Sequence, residues 1–250
     1  MEKHNPIFDA EKIQFGCKKD TCPDPRTYQY EDRIVGVEVL PISTDLRPLF
    51  NPVCNQGGLN SCQSFAVVSV LEAMWKRDKK EFMDFSELFQ YYYIRAARQK
   101  TDLNVGAYII DAIKSPLNNG FVRESSWQYI QNKFTTKPGT LAQVERNFWK
   151  LYLPKSYYKV ISLDGIKHAL AENRPVVFGM NVKDSFMSTT ANKTNEGNNR
   201  GGHAMVIVGH DDTQEYFIVR NSWGTSWGAS GYCYIPYKYF SDMFDLYVYL

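Results

Sequence analysis

Between Cys62 and Trp75 the chain runs through Phe65, Ala66, Val67, Val68, Val70, Leu71, Ala73 and Met74 with almost no polar face. A helix that is apolar on nearly all sides has to be buried centrally, so the pattern predicts one over 62–75. Two more helices are predicted in the first half. One covers 86–98, where Ser86 can cap the first turn, and the other covers 106–114, stopping ahead of Pro116. Helical patterns also cover 141–151 and 163–172. After Pro175 the pattern changes to short runs rich in β-branched and aromatic residues, predicting strands over 176–182, 204–208, 216–220, 232–235 and 246–249. Residues 183–202 hold too little apolar content to pack and are expected as a long surface loop leading to His203.

Residues 1–39 stand apart. They are polar, carry the turn-rich stretch Thr21-Cys22-Pro23-Asp24-Pro25 and show no sustained period, which marks an N-terminal extension. Two roles stay open for it, a short inhibitory segment making intramolecular contact with a cleft, or a flexible or surface-docked tail. From Leu40 onward the elements form an α+β unit over 40–250, mainly helical over about 40–155 and mainly β over about 156–250.

Composition narrows the function classes. With 44% hydrophobic and 22% charged residues the 250-residue chain reads as a globular protein, and a net charge of +2 without a dense basic run argues against nucleic acid as a partner. Neither a secretory leader nor a membrane span is visible, so no membrane partner and a cytoplasmic or otherwise intracellular location are expected. Five cysteines, at 17, 22, 54, 62 and 233, leave at least one unpaired, and no paired CxxC units point to zinc. Cys17 and Cys22 lie close enough in sequence for a small loop disulfide but stay thiols in a reducing compartment. Cys54 and Cys233 read as packed thiols, and His4, His168 and His210 as surface or turn residues. Neither a metal nor an organic cofactor is called for, and the glycosylation-like Asn192-Lys193-Thr194 is read as incidental.

Three segments carry candidate chemistry. In Asn55-Gln56-Gly57-Gly58-Leu59-Asn60-Ser61-Cys62 a glycine turn leads into the buried helix with a cysteine at its first turn, where the positive helix end favours a thiolate. Gly201-Gly202-His203-Ala204 places an imidazole where a glycine-rich stretch enters an apolar run. Asn221-Ser222-Trp223-Gly224-Thr225-Ser226-Trp227-Gly228 sets an asparagine at a strand end before two tryptophans. His203 follows Cys62 by 141 positions and Asn221 follows it by 159, against about 130–150 in papain-type enzymes.

Together these segments resemble the papain and cathepsin family of cysteine peptidases. The resemblance implies a two-lobed fold, with a helical N-terminal lobe, an antiparallel β-barrel-like C-terminal lobe and a cleft between them. It further implies Cys62 as nucleophile, His203 as general base and acid, Asn221 holding the imidazole and Gln56 assisting the oxyanion. Trp223 would shield the His–Asn hydrogen bond, and Trp227 would line the leaving-group side. Gly106 and Ala107 would lend backbone groups to a peptide or protein substrate, and Ala204 would line the pocket for the second side chain upstream of the cut.

Two departures from the family pattern matter. Leu59 replaces a cysteine, so the loop disulfide of secreted relatives is missing, and Gln63 replaces an aromatic residue after the nucleophile. The missing disulfide suits a bacterial cytosolic protein or a large-virus particle. Other acyl transfer, such as amidase or transglutaminase-like activity, and a catalytically silent binding protein of the same fold remain as alternatives.

Overall fold

The computed structural model describes residues 7–35, 39–149, 152 and 154–250, so His4 lies outside the described residues. The central helix α1 (Cys62–Lys79) is buried without a break from Cys62 to Ala73. It runs one turn past the predicted end, through Lys76, Arg77 and Lys79, whose charges suit the negative end of the helix dipole. Helix α2 (Glu87–Ala96) is capped by Ser86, whose side chain accepts the Phe89 N–H at 3.1 Å.

Helix α3 (Ile109–Asn119) corrects the expected stop before Pro116, because it runs through that proline. Ile109, Ala112, Ile113 and Pro116 are all buried, and burial of that stripe outweighs the one backbone hydrogen bond that proline forfeits. Residues 106–108, expected as the first turn of this helix, lie before it and are extended at Ala107 and Tyr108. Helix α4 (Thr140–Trp149) follows its prediction, though residues 150 and 151 lie outside the described residues, and α5 (Leu163–Ala171) is capped by Ser162 through the Gly165 N–H.

Nine strands are found among the described residues: β1 (Cys17–Lys18), β2 (Ser43–Asp45), β3 (Ala107–Tyr108), β4 (Tyr157–Val160), β5 (Val176–Lys183), β6 (Asn199–Asp211), β7 (Tyr216–Arg220), β8 (Tyr232–Pro236) and β9 (Met243–Tyr249). Seven of them make an antiparallel sheet in the order β4-β9-β5-β6-β7-β8, with β2 paired to β6. The expected loop over 183–202 is therefore shorter. Residues 199–202 already belong to β6, where Gly201 and Gly202 pair with Val182 and Asn181, because a sheet ladder needs backbone groups and not apolar side chains.

The core is continuous from helices to sheet. Val67, Val70 and Leu71 of α1 share one buried cluster with Phe178, Met180, Met205 and Val206. That packing sets the start of α1 beside the middle of β6.

The described part of residues 1–39 is docked on the body. β1 pairs in parallel with β3, and Glu31 Oε1 accepts hydrogen bonds from Ile161 N, Ser162 N and Ser162 Oγ. This segment is called the strap below.

His210 departs from the expected surface position, since it is fully buried in β6 opposite Thr44. Burial lowers its pKa, opposed by Asp212 and reinforced by Lys167. A group lowered in the fold contributes its stability above its unfolded pKa of about 6.5 and loses it as pH falls below that. The thermal unfolding midpoint should therefore drop between pH 7.5 and 5, and His210→Gln should flatten part of that slope. An unchanged slope in the variant would remove His210 as a source.

Candidate active site

Three segments far apart in sequence meet at the start of α1. Cys62 is its first residue and has no exposed surface. Burial raises the pKa of its thiol, while the backbone N–H groups of Ala204, Gly16, Gln63 and Cys62 itself pull it down. Ala204, buried on β6, thus brings the residue after His203 against the sulfur. All five cysteines are free, with Cys17, Cys62 and Cys233 buried, Cys54 half-buried and Cys22 exposed.

His203 sits on β6 opposite Met180 and is also fully buried. Its Nε2–H donates to Asn221 Oδ1 at 2.7 Å, the direction that an acceptor-only amide oxygen requires. Asn221 Oδ1 accepts a second bond, from Ser222 N at 2.8 Å, which fixes the amide in place. Trp223 stacks over the imidazole at 4.8 Å and 29°, and Trp227 meets Trp223 edge-on at 5.0 Å. Beyond them the Lys193 ammonium lies 3.9 Å from the Trp227 ring, its pKa lowered to about 8 by burial. Trp223 thus covers one face of the imidazole.

Gln56 reaches the same point from the glycine turn. Its Nε2 donates to Leu59 O at 2.9 Å and its Oε1 accepts from Ser222 Oγ at 2.6 Å. Tyr129 Oη donates to the Gln56 carbonyl at 2.9 Å and lies 2.7 Å from Ser61 Oγ, so this turn is held from both sides. Leu59, in place of a cysteine, packs with Leu88 and Tyr91.

The strap fills the groove across these residues. Phe8 stacks on Trp223 at 5.4 Å, and its N–H bonds Ser226 Oγ at 3.0 Å. The Gln14 carbonyl accepts Gln56 Nε2 at 3.3 Å, and Phe15 presses edge-on against His203 at 6.1 Å and 83°. The Gly16 carbonyl accepts Gln63 Nε2 at 2.5 Å, while the same amide nitrogen bonds Ala107 O at 2.9 Å. Close approach explains two glycines here. A Cβ on Gly106 would overlap the Gly16 carbonyl, and one on Gly16 would come within 2.6 Å of Asn60 O. Cys17 then pairs with Ala107, so Gly106 and Ala107 are the backbone edge that the strap uses.

Covered in this way, the pair sits in its neutral form. Burial lowers the His203 pKa to about 4, with Asn221 pulling the other way, and it holds Cys62 as a thiol. The helix end alone would favour a thiolate; burial outweighs that preference here.

Sequence reasoning noted Gln63 only as a departure from the family pattern, assigning it no contact, and did not single out Tyr129 or a role for Ser222. Gln63 did leave a signal, a long uncharged polar side chain in a largely apolar helix, which implies a specific buried hydrogen bond. Ser222 and Tyr129 left none.

Residues 40–242 match the family described as papain family cysteine protease. An uncharacterized peptidase C1-like protein of Acanthamoeba polyphaga mimivirus is 36% identical over 203 residues, covering 75% of this chain and 65% of its own. Peptidase 1 of Dermatophagoides pteronyssinus is 28% identical over 221 residues, covering 84% and 65%. The chain thus spans just under two thirds of the length of these curated relatives. Among solved structures, xylellain, a cysteine protease from Xylella fastidiosa, superposes with a TM-score of 0.85 at 28% identity, covering 95% of this chain and 96% of that one. Digestive procathepsin L 3 of Tenebrio molitor gives 0.71 at 19% identity, covering 89% and 73%, a likeness of fold.

Proposed function

The chain belongs to the papain family of cysteine proteases, and on that premise we propose that it hydrolyses peptide bonds through Cys62, His203, Asn221 and Gln56, and that the strap holds it latent. The observation that carries the reading is the meeting of the Cys62 sulfur, the Ala204 N–H beside His203 and the 2.7 Å His203–Asn221 bond at one helix start. The peptidase unit is 40–250, and the described part of residues 1–39 is its covering segment.

With the strap displaced, water and a substrate carbonyl reach the pair. The proton moves from the Cys62 sulfur to His203, which Asn221 keeps in the productive tautomer, and the thiolate adds to the scissile carbonyl. The oxyanion is held by the Cys62 N–H and by Gln56 Nε2, the atom that now bonds the Gln14 carbonyl. Such a donor contributes about 2.7–4 kcal/mol at the transition state. His203 protonates the leaving amine, then activates the water that releases the acyl group.

Direction explains why the strap would survive in its own groove. A substrate enters with its upstream residues on Gly106 and Ala107 and its leaving side at Trp223 and Trp227. The strap runs the other way, from Phe8 at Trp223 to Cys17 at Ala107. No helix among the described residues is long and apolar enough to cross a membrane. The free thiols, and Leu59 in place of a cysteine, support action in a reducing compartment.

An irreversible epoxide directed at cysteine proteases tests the reading. We expect slow labelling of the unaltered chain, located at Cys62 by mass spectrometry and absent in Cys62→Ala. If Cys62 stayed unlabelled even with the strap loosened, a silent binding protein of the same fold would replace the peptidase.

A further inference from the structure

The chain between α2 and β3 carries an asparagine that none of these steps uses. The Asn104 side chain meets the turn before α1 at two points. Its Oδ1 accepts the Asn60 N–H at 2.9 Å, and its Nδ2 donates to the Gly58 carbonyl at 3.1 Å. Asn60 answers through its own Nδ2, which donates to the Asn104 carbonyl at 2.9 Å. Asn104 thus clasps the turn on either side of Leu59. All five cysteines are free, so no disulfide shares in holding this turn.

One peptide unit joins that clasp to the reaction. The Leu59 carbonyl and the Asn60 N–H belong to the same planar trans peptide and point to opposite sides of it. On one side the N–H is taken by Asn104 Oδ1, and on the other the carbonyl accepts Gln56 Nε2 at 2.9 Å. Fixing one edge of the plane fixes the other. An amide nitrogen carries two hydrogens. With one of them anchored on Leu59, the second is aimed where the Gln14 carbonyl now lies, the position assigned above to the oxyanion.

Asn104 is braced in turn from α2. Tyr91 Oη donates to its Oδ1 at 2.7 Å and lies 3.2 Å from the Val105 carbonyl. The Arg95 guanidinium sits 4.0 Å from the Tyr91 ring and donates to the carbonyls of Thr101 and Leu103 at 2.7 and 2.9 Å. Tyr91 and Arg95 are both buried, where a fully bonded polar network is rigid.

We propose that Asn104 is a positioning residue, which aims Gln56 at the oxyanion through the Leu59–Asn60 peptide. This rests on the peptidase reading. A donor held ready in this way needs no rearrangement when charge develops on the substrate oxygen.

The test uses the 250-residue chain carrying Phe8→Ala and Phe15→Ala to loosen the strap, since both rings lie against Trp223 and Phe15 also against His203. Gly16, which packs on Asn60, is left unchanged. Asn104→Ala, Gln56→Ala and the double variant are compared with this parent on one fluorogenic peptide amide, and iodoacetamide labelling of Cys62 is timed in each. We expect Asn104→Ala to lower kcat about 10- to 100-fold with KM nearly unchanged, because a misaimed donor costs the transition state and not the bound substrate. Labelling should not slow, since alkylation builds no oxyanion. In the Gln56→Ala background the same change at Asn104 should cost less than about twofold, as expected of a residue that works through Gln56. Asn104→Asp keeps both accepted bonds and gives up the one to Gly58, so its loss should be smaller; if thermal unfolding shows Asn104→Ala to be unfolded, the same cycle run with Asn104→Asp decides. A loss undiminished in Gln56→Ala, or labelling that slows in step with turnover, overturns the assignment and leaves the peptidase in place. Labelling of Cys62 in the parent with no peptide cleaved overturns the peptidase reading, and the role of Asn104 falls with it.

Discussion

The 250-residue chain carrying Phe8→Ala and Gly16→Val is expected to cleave peptide amides about 10- to 1,000-fold faster than the unaltered chain. The range follows from two contacts. The Phe8–Trp223 stack at 5.4 Å belongs to a class of aromatic pair that contributes about 0.5–1.5 kcal/mol beyond its burial. A side chain at Gly16 meets Asn60, which Asn104 holds by two hydrogen bonds, and forced overpacking of this kind costs about 1–3 kcal/mol. Together these weaken closure by roughly 1.5–4.5 kcal/mol, and each 1.4 kcal/mol is a factor of ten in the open population. Epoxide labelling should accelerate by the same factor, since both reactions draw on that population. Equal rates in the two chains would show that the strap does not limit access to Cys62.

In that loosened chain, Cys62→Ala and His203→Ala each lower kcat by on the order of 10⁵- to 10⁶-fold, and the double variant falls scarcely further. Nucleophile and base act as one unit, so removing either abolishes the contribution of both. Asn221→Ala should cost less, because the imidazole remains and loses only its orientation and the shield organised around the 2.7 Å bond. Comparing the two single variants with the double is the decisive measurement. Additive losses would mean that the two side chains do not share one reaction.

Most of the fold was legible because burial leaves a periodic trace. The apolar run of α1 and the β-branched runs of β5 to β8 are patterns that only a core can explain, and the structure places them in one. What escaped was built from backbone. β1 and β3 are two-residue pairings in which the ladder does the holding, so side-chain period says nothing of them. The glycine-rich start of β6 was hidden in the same way. Pro116 misled in the opposite sense, because a buried stripe continued across a residue that by itself signals a stop.

The candidate site follows the same division. Cys62, His203, Asn221 and Gln56 were legible as candidates because three segments, each ordinary alone, together resemble one family's pattern. Ser222 and Tyr129 reach the site through geometry that only the folded chain supplies.

Phe15 against His203 has a consequence for what can trigger activation. The covered pair holds one proton, on sulfur, beside an imidazole whose pKa is about 4. The exposed pair of the proposed mechanism also holds one proton, on nitrogen. Opening therefore relocates a hydrogen ion inside the site without taking one from the solvent or releasing one, and through this pair the equilibrium is indifferent to acidity between about pH 5 and 8. Acidification of a compartment gives this pair no purchase on the latch. If the strap is the latch proposed above, a cut in its exposed stretch from Thr21 to Arg26 or a competitor for its place is expected to release the pair without any change of acidity.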